Sequence, residues 1–194
     1  MSDPAVKLPH PPTIADIDAL PPHMKGEILD GVLYAMTRPR GTHQSVQGRV
    51  YGDVHFPYER GRGGPGGWII LPEPGIELVN APEVSPDVAG WKRVRLPAVP
   101  GDRAIAVVPD WVCEVLSSST RRYDQRTKKP FYARAGVGFL WVVDLEAMVV
   151  TASRLENGCW VEVGVWSDET DAHIPPFDEV PINVAEWWAG AEQG

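Results

Sequence analysis

The stretch Trp111-Val112-Cys113-Glu114-Val115-Leu116 restricts the folds open to this chain more than any other. It is apolar, rich in β-branched and aromatic residues and too short for an ordinary helix, so it reads as a buried central strand. Glu114 stands inside it. A carboxylate among Val, Cys and Leu requires a partner, because burying an unpaired charge is costly. Strand alternation puts Val112, Glu114 and Leu116 on one face and Trp111, Cys113 and Val115 on the other.

The flanking chain supplies the rest of an α/β pattern. Residues 1–20 read as a proline-rich arm with a short helix over 13–20, capped by Thr13 and stopped by Pro21-Pro22. Glu27-Ile28-Leu29 and 32–36 form an N-terminal hairpin around Asp30-Gly31, a pair suited to a two-residue turn. A helix is expected over 42–58, despite Gly48 and Gly52. Strands follow at 68–71, at 75–79 and at Ser85-Pro86-Asp87, and a proline-containing loop covers 92–108. The glycine-rich 60–67 loop lacks the Gly-Lys-Ser/Thr ending of a phosphate-binding loop. Beyond the central strand come a helix over 120–135, a buried strand over 139–144, a C-terminal hairpin (148–154 with 159–166, through Asn157-Gly158) and a short apolar helix over 181–188. The expected architecture is one mixed β-sheet flanked by helices, in one domain over 21–188 with a 189–194 tail.

Composition narrows the setting. No apolar run approaches the roughly 20 residues of a membrane span, and the two cysteines, Cys113 and Cys159, show neither metal-ligand spacing nor a disulfide framework. A reducing, cytoplasmic location is expected. The net charge of −8 opposes a nucleic-acid partner only if it is evenly spread. It is not: residues 141–194 hold eleven acids against Arg154 alone, whereas 120–134 holds six basic residues against Asp124.

Two carboxylates near a lysine are what metal-assisted phosphodiester cleavage requires, and Asp87, Glu114 and Lys128 offer that set. Each has a plainer reading. Glu114 could pair with an arginine of the next helix, Asp87 could start a strand after Pro86, and Lys128 could be a solvated helix residue. His43 reads as a base, a phosphate contact or plain helix-start surface, and Glu27 as an exposed residue at a strand start.

Taken together, Ser85-Pro86-Asp87, the 109–117 stretch around Glu114, Ser119 to Asp124, Lys128, Tyr132 and the 135–144 segment resemble the Uma family of restriction-endonuclease-like proteins, within the PD-(D/E)XK nuclease superfamily. The 27–31 turn and the 39–43 segment fit its opening hairpin and first helix, so the resemblance spans about 24–188. It implies a restriction-endonuclease-like core and a site for Mg²⁺ or Mn²⁺ held by Asp87, Glu114 and the Val115 carbonyl. It further implies Lys128 as catalytic lysine, supplied from the helix rather than from position 116, and Glu27 as an N-terminal acid near the metal. Arg38, Arg40, His43, Arg121, Arg122 and Arg126 are the candidate nucleic-acid contacts.

Residues and resemblance together point to a metal-dependent endonuclease acting on DNA, working as a homodimer. Two alternatives stay open: a catalytically silent interaction module on the same fold, and a nuclease for RNA or a small phosphorylated substrate, which the acidic C-terminal half would suit. Tryptophans at 160, 166, 187 and 188 fit either a dimer contact or a core.

Overall fold

The computed structural model describes residues 4–39, 41–101 and 104–190. The expected N-terminal arm contributes a two-residue strand, β1 (Ala5–Val6), and the short helix α1 (Ile14–Asp18). The Thr13 backbone N–H donates to the Asp16 carboxylate at 2.7 Å, half of a capping box. β2 (Met24–Leu29) and β3 (Val32–Thr37) form the hairpin, with Asp30 and Gly31 at φ 50° and 75°, as a tight two-residue turn demands. Helix α2 (Thr42–Val54) runs on into a π-helical turn (His55–Glu59). Then come β4 (Trp68–Pro72), β5 (Ile76–Leu78), β6 (Ala81–Val84), β7 (Val88–Lys92) and β8 (Trp111–Leu116).

The next segment is helical in three pieces: α3 (Arg121–Tyr123), a π-helical turn (Asp124–Lys128) and α4 (Lys129–Ala135). Pro130 explains the interruption. It lacks an N–H for the carbonyl four residues back, and just ahead of it the ladder widens so that the Lys129 N–H bonds the Asp124 carbonyl, five back. Strands β9 (Phe139–Asp144), β10 (Val149–Glu156) and β11 (Cys159–Trp166) follow, then β12 (Ala172–Ile174), β13 (Phe177–Ile182) and a 3₁₀ turn (Val184–Trp188).

The strands make two main sheets, not the single mixed sheet expected. One is antiparallel, ordered β1-β3-β2-β6-β5; the other is ordered β11-β10-β9-β8-β7-β4, with β8 and β9 parallel and the rest antiparallel. The first hairpin joins β6 through Ile28 and Glu83 and so builds a sheet of its own. Ser85-Pro86-Asp87 is not strand but the link between β6 and β7, as a proline without a ladder donor favours. The helix expected over 181–188 is half right: β12 and β13 form an additional hairpin, because Asp178 and Glu179 turn outward between buried Phe177 and Ile182.

Both faces of the six-stranded sheet are covered. On one, Trp111, Cys113, Val115 and Trp141 pack against Val46, Val50 and Val54 of α2 and against Phe177 and Trp187. Phe177 is the hub there, with ring centroids 4.7–4.8 Å from Tyr58, Trp68 and Trp111. Such pairs add about 0.5–1.5 kcal/mol each beyond area burial. On the other face Val112, Ala89 and Leu140 meet Tyr123, Phe131 and Tyr132 from the helical segment and Leu29 from the first hairpin. The four C-terminal tryptophans therefore pack on their own chain. Among the described residues, no helix is long and apolar enough to cross a membrane.

Candidate active site

The β7–β8 ladder ends at the pair Val88–Cys113, which leaves the β7-side edge of β8 open one step further on, while its other edge stays paired with β9. Asp87 takes the open place: its Oδ2 accepts the Val115 N–H at 2.7 Å. From α2, Gln47 Nε2 donates to the Asp87 backbone carbonyl at 2.9 Å, and His43 Nε2 stands 3.3 Å from Oδ2. His43, for which the sequence left a base, a phosphate contact or plain helix-start surface open, is thus buried.

Glu114 points to the opposite face, under the helical segment. Its Oε1 accepts the Tyr132 hydroxyl at 2.6 Å and lies 2.7 Å from Lys128 Nζ. Lys128 also reaches Glu27 Oε1 at 3.3 Å and the Ser85 carbonyl at 3.1 Å. Glu27, read either as an exposed strand-start residue or, from the resemblance, as an acid near the metal, is 1% exposed, and the Tyr123 hydroxyl from the helical segment donates to its Oε2 at 2.7 Å. Gly26 beside it leaves room for α1 and its exit, since a Cβ there would meet Leu20 at 2.7 Å and Ile17 at 3.2 Å.

Glu27, His43, Asp87, Glu114 and Lys128 line one cavity of about 470 Å³, with Lys25, Arg38, Asp124, Ser117, Ser119 and Thr120. Four carboxylates (Glu27, Asp87, Glu114, Asp124) face two lysines there, and the crowding shows in the acidities. Burial, then the charges of Asp87 and Glu27, push Glu114 up to about 7 against the opposing pull of Lys128. Burial and the Glu114 charge likewise raise Asp124 well above the carboxylate range. For Asp87, burial acts upward, but the hydrogen bond and charge of His43, with Lys25 and Lys128, hold it below. His43 is the mirror case: burial lowers it, while Asp87, the Val115 backbone and Glu114 raise it overall. Burial also opposes the Lys128 ammonium, but the surrounding carboxylates raise its pKa and keep it charged.

The remaining residues singled out from the sequence fall elsewhere. Arg121 is turned to Asp144 and Glu146 at the end of β9. Arg122 and Arg126 are exposed and do not line the cavity; Arg38 does, with Nε on the Pro22 carbonyl at 3.2 Å. Arg40 lies outside the described residues. Sequence reading did not single out Lys25, Tyr123 or Gln47. Tyr132, four residues past Lys128 on one helical face, carried a usable signal; Lys25, on a distant hairpin, carried none.

The six-stranded mixed sheet, with a carboxylate-and-lysine cavity where two of its strands part, defines the class: a mixed α/β protein with two main sheets and a C-terminal hairpin. Residues 14–185 match the family model Uma2, described as "Putative restriction endonuclease", and the chain belongs to that family. Among solved structures it is similar to a crystal structure of "a putative nuclease" from Anabaena variabilis, with TM-score 0.70 and 20% identity over 92% of this chain and 98% of that one. The likeness is one of fold. Comparison with curated proteins gave no match.

Proposed function

We propose that the protein is a metal-dependent endonuclease hydrolysing phosphodiester bonds of DNA on a restriction-endonuclease-like core. The observation that carries this reading is the convergence of Asp87, Glu114, Asp124 and Lys128 on one cavity. Neither Asp87 nor Glu114 is spent on an arginine: their side-chain contacts are His43, the Val115 N–H, Lys128 and Tyr132.

The residues suit Mg²⁺ or Mn²⁺ in kind. Carboxylates are the hard oxygen donors such ions take, and a cation would relieve the repulsion that raises Glu114. Among the described residues, no three His, Cys, Asp or Glu side chains already stand as a ligand cluster. The proposed holders are one oxygen each of Asp87 and Glu114 and the Val115 carbonyl, which leaves the strand on the edge from which the Val115 N–H meets Asp87. A bound divalent ion supplies Lewis acidity and an activated water.

The chain's own residues do the positioning. The side-chain contacts of Asp87 run through Oδ2 and those of Glu114 through Oε1, which fixes each carboxylate and leaves its other oxygen to serve as the ligand. Lys128 holds Glu114 and Glu27 together and keeps positive charge beside the reacting phosphate. A symmetric dimer would present two such cavities to the two strands of a duplex. Calorimetric titration of Mn²⁺ into wild type, Asp87→Ala and Glu114→Ala tests the reading. Saturable binding lost in both variants supports it; a folded wild type that binds no Mn²⁺, even with DNA present, overturns it.

A further inference from the structure

Resting on that nuclease reading, we propose that Lys25, not Lys128, is the lysine that contacts the substrate phosphate. The two differ in how many donors they have free. An ammonium has three N–H groups and no acceptor. Lys128 is held by three partners: hydrogen bonds to the Ser85 carbonyl at 3.1 Å and Glu27 at 3.3 Å, and an ion pair with Glu114 at 2.7 Å that closes its remaining side. Its side chain is 3% exposed. To bind a phosphate oxygen it would have to release a buried carboxylate, which is costly where two other acids crowd the same space.

Lys25, on β2, is differently placed. Its Nζ makes one hydrogen bond, to the same Ser85 carbonyl at 3.0 Å. Its ion pairs with Glu27 at 3.8 Å and Glu73 at 3.9 Å are too long to be hydrogen bonds. Two N–H groups therefore remain for a ligand, and the side chain is 15% exposed. Lys25 lines the carboxylate cavity and also a second cavity beside it, and Arg38 lines both as well. The two cations stand at the shared wall, where a backbone phosphate would meet them next to Asp87 and Glu114. The shared Ser85 carbonyl divides the labour: one lysine is locked beneath it as counter-ion and the other is left open above the cavity.

The test is equilibrium binding of a fluorescein-labelled DNA duplex, read by anisotropy across a series of salt concentrations. Ca²⁺ replaces Mg²⁺ as an oxygen-seeking ion of equal charge. Wild type is compared with Lys25→Ala and Lys25→Arg, and melting temperatures are measured alongside. Losing one phosphate contact should weaken binding roughly 3- to 10-fold at moderate salt and flatten the log–log salt slope by about 0.9. Lys25→Arg should recover both, and neither variant should melt differently. Lys25→Ala with wild-type affinity and slope overturns the assignment and leaves the nuclease reading standing. The assignment falls equally if the variant loses binding together with stability and Lys25→Arg does not recover it, for Lys25 would then be structural. A wild type that binds no duplex at low salt defeats DNA hydrolysis itself, and this assignment with it.

Discussion

Lys128 Nζ and Glu114 Oε1 are 2.7 Å apart and both side chains are buried, yet Glu114 is pushed up to about 7. One ammonium does not offset burial and two neighbouring carboxylates. The pair is a positive charge outnumbered by its acids, and its stability depends on pH accordingly.

In the unfolded chain Glu114 returns to about 4.5, so the folded state holds this proton more tightly. The resulting stabilisation is complete below about pH 4.5 and lost as pH rises through about 7. Asp124, also raised, adds in the same direction; Asp87, held low, contributes stability that is lost only as pH falls through its own depressed value. Denaturant midpoints should therefore decline between about pH 5 and pH 7.5, and Glu114→Gln should remove much of that decline, a difference on the order of 3 kcal/mol. An identical slope in the variant would show that Glu114 does not titrate in this window.

Mn²⁺ should stabilise the protein more at alkaline than at acidic pH, because protonated Glu114 is a poor ligand. At an ion concentration a hundred times the dissociation constant the gain is about 2.7 kcal/mol. Thermal melts with and without Mn²⁺ at about pH 5.5 and pH 8 read it directly. The gain should vanish in Asp87→Ala and Glu114→Ala; an equal rise in both variants would place the ion elsewhere.

Tyr132→Phe removes the hydroxyl that donates to Glu114 at 2.6 Å and leaves the ring in place. Withdrawing a buried donor from a carboxylate should destabilise the fold by about 1–3 kcal/mol. The loss should grow as pH rises and more of Glu114 is ionised. Chemical denaturation at two pH values measures it, and a pH-independent loss would mean that ring packing alone is involved.

Two glycine substitutions should act with opposite sign. At Gly90, in β7, an added Cβ meets the Trp111 ring at 3.1 Å and the Trp68 ring at 3.3 Å, and two rigid indoles give way poorly. Gly90→Ala should cost about 1–3 kcal/mol. At Gly48, inside α2, nothing lies within 4 Å. Gly48→Ala should stabilise by about 0.4–1 kcal/mol through helix propensity and a less free unfolded chain. Urea midpoints of both variants suffice as the check.

The parts of the fold that announce themselves locally were legible in the sequence. The Asp30-Gly31 turn, the Asn157-Gly158 hairpin and the β8 strand all carry their signal in a few adjacent residues. What failed depended on partners distant along the chain. Nothing near Glu27 says that Tyr123 will cap it from 96 positions away, and nothing in Met24–Leu29 says that this hairpin belongs to a second sheet. The β12–β13 hairpin was hidden by prolines and by the adjacent exposed acids Asp178 and Glu179, which break the period-two apolar pattern of a strand. Glu114 stood out because its apolar neighbours made it chemically anomalous, whereas Asp87 and Lys128 each had a plain local reading and were carried by the family resemblance. Lys25 is ordinary in its own neighbourhood, and only the fold brings it to the cavity.

The triple commitment of Lys128 also bears on how this cavity can change over generations. Its ammonium ties together β2, the link before β7 and the middle of β8. Loss of Lys128 strands two buried carboxylates, whereas loss of Glu27 or Glu114 leaves the ammonium its other acid, so what a change at one position costs depends on the residues at the other two. Sequence drift at these three positions is therefore constrained to proceed jointly. Double-mutant cycles among them should depart strongly from additivity, even though each position is remote from the others in the chain.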